Sequence, residues 1–182
     1  MSAGDAYDSW GSGVIRALHI ATIRGVVVRV HPTLLFIVPW VLWHWGDRSV
    51  DPLRGALFGV FVLIAVFVSV AAHELAHALV AHRYGLAVRD ITLLPIGGLT
   101  RIEQGPLPPR REAAIALAGP VLNALLALGL LPFVAGMVML RDLTTLEKIA
   151  GLLSETSMTS LLAFTTISNL MLALLNLLPA FP

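Results

Sequence analysis

Apolar runs dominate this chain, and its polar residues gather between them or at their ends. The clearest run predicts a helix from Leu53 to about Arg83, opened by Asp51-Pro52 as N-cap and first-turn pair. Gly55 to Ala72 carries no charge, then His73, Glu74 and His77 follow near its end, and His82-Arg83-Tyr84-Gly85 stops it. A second run, Ala113 to Leu140, holds Gly119-Pro120 and Pro132, so a kinked or broken helix is expected. A third, Met158 to Leu178, reads as a further span. The earliest run, Thr33 to Trp45, has only 13 residues. At 1.5 Å per residue it reaches about 20 Å, short of the roughly 30 Å hydrocarbon core, so it must tilt in a thinned bilayer, borrow from its neighbours or be partly re-entrant. Trp40, Trp43 and Trp45 suit the interfacial belt at its far end.

Between the runs lie shorter elements. Met1 to Gly13 is small and polar, and Val14 to Ile23 reads as a short interfacial helix. Gly25 to Val30 is β-branched after a glycine and reads as a strand. Ala87–Leu94 and Leu99–Glu103 read as two strands joined around Pro95-Ile96-Gly97-Gly98, and Arg141 to Ser157 as a polar connection. The expected fold is an all-α polytopic membrane protein of about four transmembrane helices, with a short amino-terminal strand and a cytoplasmic β-hairpin between helices two and three. Residues 1–24 form an amino-terminal interfacial segment and residues 25–182 the membrane core.

Composition agrees with this reading. The 182 residues are 57% hydrophobic and only 13% charged, about half the charge of a soluble domain. The net charge of +1 offers nothing for a nucleic-acid partner. Without cysteine, any transition-metal site must use His, Asp or Glu. With four spans, one side holds eight Lys and Arg (Arg16, Arg24, Arg29, Arg83, Arg89, Arg101, Arg110, Arg111) and the other four (Arg48, Arg54, Arg141, Lys148). The positive-inside rule then puts the amino terminus and the His73 end of the second helix in the cytoplasm.

His73-Glu74-Leu75-Ala76-His77 has the spacing H-E-x-x-H. Residues four apart share one helix face, so both imidazoles can converge on one metal ion while Glu74 reaches a water beside it. A carboxylate at this depth is costly unless partnered, and a metal ion with its water would be such a partner. Catalytic zinc usually takes three protein ligands. Asp90 and Glu103 on the hairpin and His82 on the same helix are candidates for the third, none convincing; Asp142, Glu147 and Glu155 fall on the opposite side of the membrane.

The chain then resembles a known family. H-E-x-x-H at the end of the second span is followed by a Gly-Gly hairpin, by Ala118-Gly119-Pro120-Val121-Leu122-Asn123, and by Asn176-Leu177-Leu178-Pro179-Ala180-Phe181-Pro182. This ordered set, from Gly25 to the carboxyl end, resembles the site-2 protease family of intramembrane zinc metalloproteases, nearest its bacterial and archaeal branch, some of whose members carry further spans and CBS domains. The resemblance implies one Zn²⁺ held by His73, His77 and the Asp of an Asp-Gly motif expected just beyond Pro182, with Glu74 as general base. The sequence is therefore expected to be a piece of a longer protease that alone binds zinc weakly and does not turn over. The resemblance also implies that Asn123 lies near the site and that Gly97 and Gly98 belong to an element that clamps an extended substrate. Interhelical hydrogen bonding is the alternative for Asn123, and a plain turn for the glycines. The implied substrate is a single-span membrane protein, for example a membrane-bound anti-sigma factor, cut in regulated intramembrane proteolysis. A membrane metal-ion transporter and a catalytically inactive membrane scaffold are the competing readings.

Overall fold

The structure is a computed structural model and describes residues 17–95, 97–103, 105–141 and 145–177. β1 (Leu18–Ile23) and β2 (Val26–Val30) form an antiparallel hairpin. Their two-residue turn is Arg24-Gly25, with φ of 50° and 85°, the positive values that match the twist of paired strands. The helix expected over Val14–Ile23 is thus corrected, because Leu18–Ile23 within it is a strand. Pairing with a β-branched partner across a tight turn outweighs a weak local helical pattern.

The short amino-terminal strand expected over Gly25 to Val30 is present as β2, and it joins the expected hairpin in one sheet. β2 lies parallel to β3 (Val88–Leu94), with Val27 opposite Asp90 and Val30 opposite Leu93. β3 pairs antiparallel with β4 (Gly97–Ile102), and the sheet order is β1-β2-β3-β4. A four-stranded mixed sheet therefore stands beside the helices, with β1 and β4 as its edges. Gly97 and Gly98 open strand β4, where they pair with Leu94 and Leu93, and do not form the connecting turn.

A 3-10 turn (Pro32–Phe36) leads into α1 (Ile37–Arg48), and α2 spans Pro52–Arg83. Asp51 caps α2, its Oδ1 accepting from the Leu53 amide at 3.0 Å, and Pro52 sits where no intrahelical donor is needed. The buried Trp45 of α1 meets Phe58 edge-on at 4.8 Å between ring centroids. A β-carbon on Gly59 would lie 2.6 Å from Trp45 Cδ1, so a glycine there lets the two helices close. The α1–α2 pair returns the chain to the end where β2 begins, which is what allows β3 to pair with β2 in parallel.

α3 spans Pro109–Leu140 as one continuous helix through Pro120 and Pro132, so of the kink or break expected there the break does not occur. Membrane helices tolerate interior proline where neighbouring elements satisfy the freed backbone groups. A short helix, α4 (Leu146–Ser154), lies in the connection read as polar, and α5 spans Met158–Leu177. Among the described residues three helices, α2, α3 and α5, are long and apolar enough to cross a membrane. α1 is not, since its 12 residues reach about 18 Å. The chain is a multi-pass membrane protein.

The buried core joins Val26 and Val28 of β2, Ile91 and Leu93 of β3, and Val70 and Ala78 of α2. His73, Glu74 and His77 lie between those two α2 residues, so packing the sheet onto α2 delivers it to the H-E-x-x-H segment. In the apolar bundle α2 and α5 are tied by Asn169 Nδ2, which donates to Ser69 Oγ at 2.9 Å.

Candidate metal centre

The two imidazoles meet on one face of α2, as their spacing demands. His73 Nε2 and His77 Nε2 are 3.0 Å apart, and their rings are nearly perpendicular, at 78°. His73 is buried and His77 half-buried. His77 Nδ1 donates to the Ile115 carbonyl of α3 at 2.7 Å. A carbonyl only accepts, so Nδ1 carries the proton and a neutral His77 presents a lone pair at Nε2. That is the usual arrangement of a metal-ligating histidine, whose other nitrogen is anchored to a backbone carbonyl.

α3 closes over this pair at its smallest residue. A β-carbon on Gly119 would lie 2.6 Å from both His73 Cε1 and Nε2, and closer still to His77 Nε2. Asn176 of α5 also comes within reach of the His73 ring. Asn123, one turn beyond Gly119 on α3, is fully buried, and neither amide atom has a hydrogen-bond partner among the described residues.

Glu74 is held from the sheet side. Thr100 Oγ1 of β4 donates to Glu74 Oε2 at 2.6 Å. Gly98, two residues earlier and so on the same strand face, backs the same side chain: a β-carbon there would lie 2.7 Å from Glu74 Cδ and 2.8 Å from Oε1. Gly97, at φ +143°, instead helps to line an apolar cavity of about 370 Å³ with Trp40, Val41, Trp45, Val70 and Pro95.

The donor set fits zinc. Two nitrogens each about 2.0–2.1 Å from a tetrahedral ion sit about 3.3 Å apart, close to the 3.0 Å seen here. Two facing lone pairs would otherwise repel, unless His73 donates from its own Nε2. Among the described residues no third His, Cys, Asp or Glu joins the pair. Asp90 is buried in the sheet and turned to arginines, 3.4 Å from Arg29 and 3.7 Å from Arg101. Glu103 pairs with Arg89 at 3.2 Å, and His82 is exposed at the end of α2. None of the three candidates from the sequence completes the site, and the Asp expected beyond Pro182 lies outside the described residues.

Residues 61–156, more than half of the chain, match the sequence profile of peptidase family M50. The chain belongs to this family. M50 relatives agree along most of its length. A zinc metalloprotease of Methanocaldococcus jannaschii is 29% identical over 168 residues, covering 91% of this chain and 42% of the relative. A Synechocystis protein provisionally named a zinc metalloprotease is 33% identical over 170 residues, covering 91% and 41%. The chain thus spans about two fifths of the length of these curated relatives. The solved site-2 protease from Methanocaldococcus jannaschii superposes with a TM-score of 0.61 at 27% identity, covering 92% of this chain and 67% of that one.

Sequence reasoning missed Thr100 and the part played by Gly119. The signal for Thr100 was present in strand alternation. Once β4 starts at Gly97, Gly98 and Thr100 share a face, but only if Gly98 is counted inside the strand. No local signal marks Gly119 as the residue that meets both imidazoles, since that contact crosses from one helix to another.

Proposed function

We propose that this M50 chain carries the core of an intramembrane zinc metalloendopeptidase that cuts the membrane-spanning segments of single-span proteins. The observation that carries this reading is the pair of Nε2 atoms 3.0 Å apart, with the Glu74 carboxylate held on the next residue of the same helix. His73 and His77 would hold zinc, together with a carboxylate from outside the described residues. Bound zinc supplies Lewis acidity, polarising a carbonyl and bringing the pKa of a water toward about 7.

The chain's own residues do the rest. Glu74 takes the proton from the attacking water as general base and returns it to the leaving amine as general acid. His77 keeps its ligand nitrogen free because Nδ1 is committed to Ile115. Asn123, buried with its amide unpaired, offers a donor for the oxygen on which charge develops. A substrate helix must unwind first, because its carbonyls are engaged in i to i−4 bonds. β4, which Gly97 and Gly98 open, is a sheet edge beside Glu74, and an extended peptide can add to such an edge.

The site would face the cytoplasm. The sheet places the segments around Arg29, Arg89 and Arg101 at one end of the molecule, the end with the larger share of Lys and Arg. Cleavage there would release cytoplasmic domains such as those held by membrane-bound anti-sigma factors, in regulated intramembrane proteolysis.

The test uses the full-length protein, purified with zinc, and a single-span membrane substrate. Glu74→Gln is expected to keep its zinc and to lose about 10²- to 10⁴-fold in turnover. Equal cleavage by both forms would remove the assigned base and with it the proposed reaction.

A further inference from the structure

We propose that Thr100 is a positioning residue for the Glu74 carboxylate. This inference rests on the peptidase reading above. Glu74 is half-buried beside an apolar bundle, and its side chain has several rotamers available. A general base works only when its oxygen stays within hydrogen-bond reach of the proton it removes. The Thr100 hydroxyl donates to Oε2 at 2.6 Å, a charge-assisted geometry, and its longer approach to the Glu74 backbone carbonyl, 3.5 Å, is the weaker of the two. The oxygen so engaged is fixed in direction, and Gly98 lets the strand sit flush against the rest of the side chain.

The device joins two elements far apart in sequence. Glu74 belongs to α2, whereas Thr100 belongs to the edge strand β4. Thr100 pairs with Ile91 of β3, whose side chain is fully buried in the core, so the hydroxyl is carried by a strand whose register is set by packing. A threonine suits the place. It is β-branched, stiff at χ1 and at home in a strand, and it presents a hydroxyl without the entropy of a longer side chain. Its hydroxyl bonds to Glu74 and not to His73 or His77 among the described residues, so its contribution is separable from metal binding.

The experiment compares Thr100→Val, Thr100→Ser, Glu74→Asp and the Thr100→Val/Glu74→Asp double variant in the full-length zinc-loaded protein, with Glu74→Gln alongside. Zinc content, kcat and KM are read on a single-span membrane substrate. Valine keeps the shape and removes the donor. It is expected to lower kcat about 10- to 100-fold, with KM within twofold of wild type and zinc content unchanged. Serine is expected to restore most of the activity. Aspartate draws the carboxylate back from Thr100, so adding valine to Glu74→Asp is expected to cost little more. The proposal is overturned if Thr100→Val turns over like wild type, if its loss lies in KM or in zinc, if serine is as poor as valine, or if the two losses simply multiply. A fully active Glu74→Gln would instead remove the general-base role of Glu74, the part of the peptidase reading on which this inference rests.

Discussion

Replacing Gly119 by alanine sets two effects against each other and predicts which wins. In a helix interior alanine is favoured over glycine by about 1 kcal/mol, so the local expectation for Gly119→Ala is a more stable α3. The tertiary contact points the other way. The added β-carbon would stand 2.6 Å from His73 Cε1 and Nε2, where ordinary contact begins at 3.4 Å. The His73 ring would have to retreat by about 0.8 Å, several times the ±0.2 Å that metal–ligand bonds tolerate, and His77 Nε2 farther still. Backbone movement of α3 offers no easy relief, because the same helix accepts the His77 Nδ1 proton at Ile115. Loss of outer contacts alone typically weakens metal binding 10- to 100-fold, and moving two ligands should cost at least about 100-fold. The assay is zinc content by elemental analysis, with affinity by chelator competition, on full-length protein. Gly129→Ala is the internal control. It lies in the same helix with nothing within 4 Å of its added β-carbon, and it should bind zinc like wild type. A Gly119→Ala protein with wild-type zinc affinity would refute the closed contact between α3 and the imidazole pair.

Further predictions follow from the same geometry. Gly98→Ala places a β-carbon 2.7 Å from Glu74 Cδ. It should cut turnover at least about tenfold with zinc retained, and wild-type kcat would show that β4 does not press on the base. Ser69→Ala removes the acceptor of the Asn169 amide, which keeps its second bond to the Thr165 carbonyl at 2.8 Å. The expected loss is about 0.6–1.7 kcal/mol in reversible denaturation in detergent, and no measurable loss would deny the α2–α5 link. Zinc bound only to the folded state stabilises it by mass action, about 4 kcal/mol at a thousand times Kd. Chelation of the full-length protein should therefore lower its Tm, with recovery on adding zinc, and a Tm indifferent to chelation would deny a metal centre between His73 and His77.

Much of the site was legible in the chain because it is local. Helical spacing brings His73 and His77 to one face and puts Glu74 beside them, whatever else the molecule does. The apolar runs place that helix in a membrane for an equally local reason: backbone groups in lipid must be satisfied within their own segment. The sheet was less legible. Leu18–Ile23 is a strand only because β2 stands beside it, and no residue within β2 or β3 announces that the two will pair in parallel after a helical detour.

What the sequence alone determined, then, is the pairing of two imidazoles on one helix face, the carboxylate beside them and the membrane setting. Their causes act over a few residues, through the pitch of a helix and the solvation of its backbone. Only the tertiary structure decided what surrounds them: α3 meeting both imidazoles at Gly119, Ile115 fixing the His77 proton, Thr100 and Gly98 of β4 holding Glu74, and Asp90 turned to Arg29 and Arg101. Those contacts depend on how helices and strands distant in the chain pack together, and packing is settled by the summed burial of the whole molecule. No short stretch of sequence carries that sum.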